Sequence, residues 1–166
     1  MPERLNGMFA FAIWDLRRQE LFLSRDRLGK KPLYYSPAIP QMRVCFASEL
    51  KPFLDAPGFH PKLSPKAVAD FLCFSYVPDP DTIYQGISKL EPGTSLLISR
   101  QGERKRRYWR PEFQPASHLS FQDAVEEIRS LAVDSVRRRM ISDVPLGAFL
   151  SGGVDSSVAA ALLHKA

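Results

Sequence analysis

The stretch Leu146 to Ser157, L-G-A-F-L-S-G-G-V-D-S-S, constrains the chain more than any other, because it sets an apolar run against two adjacent glycines, an acid and three serines. A strand buried in a parallel sheet is an unbroken apolar run rather than an alternation, so Ala148, Phe149 and Leu150 predict such a strand. Val158 to Leu163 predicts a helix. Between the two, Gly152 and Gly153 admit dihedrals closed to other residues and let the backbone approach a ligand closely. A tight turn feeding a helix is a seat for an anion. The first N–H groups of the helix have no partner within it, the helix dipole is positive at that end, and the hydroxyls of Ser151, Ser156 and Ser157 add donors.

No lysine follows the glycines, so the stretch is not the phosphate loop of kinases and GTPases, G-x-x-x-x-G-K-[ST]. S-G-G-V-D-S-S instead resembles the PP-loop of the N-type ATP pyrophosphatases, which split ATP between its α- and β-phosphates. The resemblance implies that Leu150 lies beside the nucleotide. It implies that Ser151, Gly152, Gly153, Val154, Asp155, Ser156 and Ser157 cradle ATP and pyrophosphate, and that Asp155 acts through magnesium bound to the pyrophosphate. The plainer alternative is a serine-capped helix after a glycine turn, with Asp155 a first-turn acid favoured by the dipole.

The remaining composition is that of an ordinary globular protein, 45% apolar and 25% charged. A net charge of +5 comes largely from two clusters. Arg100, Arg104, Lys105, Arg106, Arg107 and Arg110 surround Tyr108 and Trp109, and Arg137, Arg138 and Arg139 form the second. No nucleic-acid reading module accompanies them, so they are expected to be a solvated loop and the outer end of a helix, with no nucleic-acid partner. Met8 to Trp14 is too abruptly closed by Asp15 to be a signal peptide, and no apolar stretch approaches the length of a membrane span. Cys45 and Cys73 sit in apolar sequence and are expected in the core of a protein from a reducing compartment, the cytoplasm. His60, His118 and His164 share no metal-ligand spacing.

Up to about Pro111 the pattern is one of short strands, at Met8 to Trp14, Leu21 to Arg25, Leu33 to Ser36, Val44 to Ala47 and Leu96 to Ser99, which predicts antiparallel sheet. A short helix is expected over Glu49 to Leu54. Ser64 and Pro65 supply an N-cap and a first-turn proline for another, carrying Val68, Phe71 and Leu72. After Pro115 the period changes. Phe121, Ala124, Val125, Ile128, Leu131, Ala132 and Val136 recur at three and four, an amphipathic helix from Ser120 to about Met140.

The first part has its own marker. Arg25 to Leu33, R-D-R-L-G-K-K-P-L, resembles the R-D-x-x-G-x-x-P-L segment of class II glutamine amidotransferases. Leu5 to Ala12 and Ala47 to Lys51 resemble its neighbours there. Read physically, it is a strand, a turn using Gly29 and Pro32, and a second strand, with Arg25 and Asp26 able to pair locally. A glutaminase-like segment followed by a PP-loop is the order of the glutamine-hydrolysing asparagine synthetases, and the likeness covers nearly the whole chain. It implies an α+β fold: a partial two-sheet antiparallel glutaminase sandwich, then the start of an α/β PP-loop domain. The implied division is residues 1–112 for the C-terminal part of the glutaminase-like domain, 113–119 for a linker, and 120–166 for the N-terminal part of the ATP pyrophosphatase domain.

The same resemblance implies the chemistry of a carbon–nitrogen ligase. ATP adenylates the aspartate side-chain carboxylate, and ammonia from glutamine displaces AMP, leaving asparagine and pyrophosphate. The implied cofactors are ATP, as substrate, and Mg2+; the parent enzyme could be a homodimer. Family glutaminases begin with a nucleophilic N-terminal cysteine, whereas this chain begins Met1-Pro2, so no catalytic glutaminase residue is expected in it. The expectation is a piece of a longer enzyme, inactive by itself. Two alternatives stand beside it: a related amidotransferase acting on another carboxylate, and a truncated remnant without enzymatic activity.

Overall fold

The computed structural model describes residues 1–37, 44–113 and 119–165. The chain divides into two compact units, Met1–Glu112 and Phe113–Ala166. Most of the linker expected over 113–119 lies outside the described residues.

The first unit carries two antiparallel sheets. Strands β1 (Ala10–Asp15), β2 (Glu20–Arg25), β6 (Thr94–Ser99) and β7 (Gly102–Arg107) form one in the order β1-β2-β6-β7. Strands β3 (Tyr34–Ser36), β4 (Cys45–Ala47) and β5 (Ser88–Lys89) form the other in the order β4-β3-β5. Period-two alternation sorts the side chains of the first sheet. Leu21 pairs with Ile98 and Leu23 with Leu96, so one face is aliphatic. That face meets Leu33, Tyr35 and Leu90 in the main core, with Ala10 and Ala12 of β1 packed against it. Leu23, Leu90 and Leu96 are completely buried, each contributing about 1.5–3 kcal/mol of transfer free energy. A second cluster forms around Phe53 and Ile87, where α1 (Lys51–Leu54) meets Tyr34, Cys45 and Ala47.

Helix α2 (Pro65–Phe74) begins as expected: the Ser64 hydroxyl accepts the Ala67 N–H at 3.3 Å, and Pro65 stands at its first position. It ends on Ser75 at φ 62. Its packing differs from expectation. Ala67 is its buried residue, while Phe71 and Leu72 are exposed. Cys73 is exposed and Cys45 half-buried, so neither is the fully buried core thiol that their apolar neighbours suggested. An apolar neighbourhood in sequence becomes core only where another element covers that face of the helix.

The basic run is not a solvated loop. Gly102 to Arg107, G-E-R-K-R-R, forms β7, with every residue exposed, on the edge of the first sheet. Register with β6 supplies the hydrogen bonds, and the consecutive cations Arg104 to Arg107 blunt an edge that would otherwise pair with a further strand. Lys105 reaches Glu91 at 3.0 Å and Arg106 reaches Glu3 at 2.9 Å.

In the second unit, α3 (Phe121–Arg139) follows the predicted amphipathic helix closely. The Ser120 hydroxyl accepts the Asp123 N–H at 3.1 Å and donates to the Asp123 carboxylate at 2.6 Å, a reciprocal cap. Arg137, Arg138 and Arg139 stand in the last turn, where the dipole favours cations. Helix α4 (Val154–Lys165) starts four residues earlier than Val158, taking in Asp155, Ser156 and Ser157. The strand expected over Ala148 to Leu150 is not formed: 145–150 are without regular structure, and Phe149 is fully exposed. A strand needs a hydrogen-bonded neighbour, and the described residues of this unit offer none.

Candidate functional site

Residues 151–157 form a turn whose shape depends on one glycine. Gly152 has φ +79, a left-handed value that a residue with a Cβ adopts only at a cost. Helix α4 then starts at Val154, and its opening N–H groups have no intrahelical acceptor. Three donors converge on the Gly153 carbonyl: the Ser157 N–H at 3.1 Å, the Ser156 hydroxyl at 2.9 Å and the Ser157 hydroxyl at 2.8 Å. The Ser151 and Ser156 hydroxyls lie 3.0 Å apart. The hydroxyl protons are therefore held within the turn, and presenting them to an anion requires only side-chain rotation.

Asp155 is exposed in the first turn of α4, and its side chain makes no hydrogen bond or ion pair among the described residues. Among those residues no group of three or more His, Cys, Asp and Glu could hold a metal. One open carboxylate beside the unpaired N–H groups of a helix start is a ligand type that suits Mg2+, which is commonly bound through one or two carboxylates together with phosphates. Leu150 and Val154 flank the turn, 67% and 79% exposed. All eight candidate residues are thus contiguous around the start of one helix.

The R-D-R-L-G-K-K-P-L segment does something the sequence did not announce. Arg25 and Asp26 are both buried, yet their side chains bond elsewhere rather than to one another. Arg25 donates to the carbonyls of Lys31, Leu90 and Gly29 at 2.9, 2.6 and 2.8 Å and pairs with Asp79 at 2.9 Å. Asp79 also receives Lys89 at 3.2 Å. Asp26 accepts the N–H groups of Phe9, Leu28, Lys30 and Lys31 at 3.3, 3.2, 3.0 and 2.9 Å. Burial pushes its carboxyl up, but those four donors outweigh burial and hold it below the ordinary carboxylate range. Tyr108 closes the knot, donating to the Arg25 carbonyl at 2.7 Å, and burial pushes its phenol up. Asp79, Lys89 and Tyr108 carried no sequence signal for this role, since they lie 54 to 83 positions from Arg25.

Comparison with known proteins places both halves. The family described as Glutamine amidotransferase domain matches residues 1–109, and that described as Asparagine synthase matches 127–166. Asparagine synthetase [glutamine-hydrolyzing] 3 of Bacillus subtilis is 38% identical over 96% of this chain and 26% of its own length. Asparagine synthetase [glutamine-hydrolyzing] 1 of the same organism is 39% identical over 93% of this chain and 24% of its own. Amidase chry2 of Gibberella zeae is 38% identical over 96% of this chain and 23% of its own. The chain thus spans about a quarter of the length of these relatives. It belongs to the glutamine amidotransferase family, in the arrangement where the amidotransferase segment runs into asparagine synthase sequence.

Proposed function

We propose that the chain serves an ATP-dependent asparagine synthetase that takes its nitrogen from glutamine, with residues 150–157 holding the phosphates of ATP. In this reading 1–112 is the C-terminal part of the glutaminase domain, 113–119 a linker and 120–166 the opening of the ATP pyrophosphatase domain, in a cytoplasmic enzyme. Among the described residues no helix is long and apolar enough to cross a membrane.

The observation that carries the reading is the Gly152 turn, which delivers the open N–H end of α4 and the hydroxyls of Ser151, Ser156 and Ser157 to one small volume. Departing pyrophosphate develops negative charge there, and fixed donors lower the barrier without reorganising at the moment of reaction. On binding, the Ser156 and Ser157 hydroxyls turn from the Gly153 carbonyl towards phosphate oxygens, and that carbonyl goes on accepting the Ser157 N–H. Asp155 would hold Mg2+, which would supply positive charge to stabilise the departing pyrophosphate. Adenylation makes the aspartate carboxylate reactive by giving it AMP as a leaving group, and ammonia completes the amide.

A second reading keeps the site and changes the acceptor: the relative named an amidase is as similar as the asparagine synthetases, so another carboxylate could take the place of aspartate. The test of the shared step is amide NMR of the chain titrated with magnesium pyrophosphate. Shifts concentrated on Gly152, Gly153, Val154 and Asp155 support the seat. Shifts confined to residues outside 150–157 overturn it.

A further inference from the structure

We propose that Asn6 is a site of spontaneous covalent modification, closing to a succinimide with Gly7 and opening to aspartate and isoaspartate. Asn6 is the single asparagine of the chain and is followed by glycine. Both residues are exposed. Gly7 has φ +139, with no side chain and nothing within 4 Å of where a Cβ would stand, so no Cβ and no neighbouring group crowds the Asn6-Gly7 link on that side. The flanking chain is anchored on both sides. Arg27 holds the carbonyls of Glu3 and Leu5, and Asp26 accepts from the Phe9 N–H and donates its own N–H to the Phe9 carbonyl at 2.8 Å. Between these anchors, Asn6, Gly7 and Met8 make no hydrogen bond among the described residues.

The Gly7 nitrogen, on losing its proton, attacks the Asn6 Cγ; the Cγ–Nδ2 bond breaks and ammonia leaves. Water then adds to either imide carbonyl. One opening restores the normal backbone as aspartate, and the other routes the backbone through the side chain as isoaspartate, one methylene longer. The net reaction is asparagine plus water to acid plus ammonia, and no oxidant or reductant is required. The product carboxylate follows directly on Leu5, whose carbonyl Arg27 holds, and the isoaspartate lengthens the lead into β1.

The test is mass spectrometry of the whole protein held in mildly alkaline buffer, with wild type and Asn6→Ser in parallel. Wild type should gain one mass unit, located in the tryptic peptide Leu5 to Arg17, release ammonia in equal amount and become a substrate for an isoaspartyl methyltransferase. Asn6→Ser should show none of these. If the folded chain keeps its mass while the excised peptide gains the unit in the same buffer, the fold protects Asn6 and the proposal is wrong. If the gain persists in Asn6→Ser, the reaction lies at a glutamine and the proposal is equally wrong.

Discussion

Arg25 and Asp79 stand 54 positions apart in the chain, yet the guanidinium Nη1 lies 2.9 Å from the carboxylate Oδ2. The pair ties the end of β2 to the segment leading into β5, and the same guanidinium caps three carbonyls. Its side chain is 9% exposed and that of Asp79 28%. Replacing Arg25 with Met should cost roughly 3 kcal/mol, the low end for breaking a buried pair, because Asp79 keeps some access to water. Arg25→Lys should recover only part, since an ammonium cannot reproduce the planar fork. Urea denaturation of both variants reads this out, and a midpoint unchanged in Arg25→Met would show the pair to be incidental.

Asp26 predicts an acid limb in stability. Its folded pKa lies below the ordinary 3.8. The stabilisation is therefore complete above that ordinary value and is lost as pH falls through the folded pKa. Asp26→Asn offers an oxygen but also an NH2 to a site lined by four N–H donors. It should lower stability at neutral pH by about 1.5–3 kcal/mol, the range for a hydrogen bond to a charged group. It should also flatten the pH profile below about pH 4. Parallel profiles for wild type and variant would refute the assignment.

Gly93 separates a packing demand from a conformational one. Its φ is +62 and an added Cβ would stand 2.4 Å from the Trp109 carbonyl oxygen; at Gly86, φ +80, nothing lies within 4 Å. Gly86→Ala should cost only the left-handed backbone penalty, about 1–2 kcal/mol. Gly93→Ala should cost clearly more, because the clash is with backbone and the Tyr108 N–H bond to the Gly93 carbonyl at 2.7 Å must give way. Thermal melting of the pair tests the ordering.

Magnesium pyrophosphate should bind the chain weakly. A helix N-terminus contributes about 0.3–1 kcal/mol to an anion, whereas a millimolar dissociation constant requires about 4 kcal/mol. Asp155→Asn should keep the turn, since Gly152, Gly153 and the serines form it without the Asp155 side chain, and should remove the part of the binding that depends on magnesium. Titration of the variant with pyrophosphate should then give the same curve with and without the metal. A magnesium dependence that survives in Asp155→Asn would reduce Asp155 to a favourable first-turn acid.

The two cysteines should differ in reactivity. Cys73 is exposed near the end of α2, whereas burial pushes the Cys45 thiol up and lowers its thiolate fraction. A disulfide reagent should label Cys73 quickly and Cys45 slowly at neutral pH. The chain should not turn over glutamine through either, and glutamate production that vanishes in Cys45→Ser or Cys73→Ser would contradict this.

Local chemistry was enough to read several features from sequence alone. Ser64-Pro65 and Ser120 marked helix starts because a cap is made within four residues, and the Leu21 to Arg25 and Leu96 to Ser99 runs marked strands because short aromatic or β-branched runs between turn residues favour extended backbone. The S-G-G-V-D-S-S turn was legible for the same reason: Gly152 and the serines bond to near neighbours. What depends on a distant partner was not legible. The basic run becomes β7 only because β6 lies beside it, and Ala148 to Leu150 stays irregular because no strand among the described residues of its unit lies beside it. Arg25 and Asp26, adjacent in sequence and opposite in charge, looked like a pair. Tertiary structure separates them, because a buried guanidinium and a buried carboxylate each need several hydrogen bonds, and here Asp79 with three carbonyls satisfies the one while four backbone N–H groups satisfy the other.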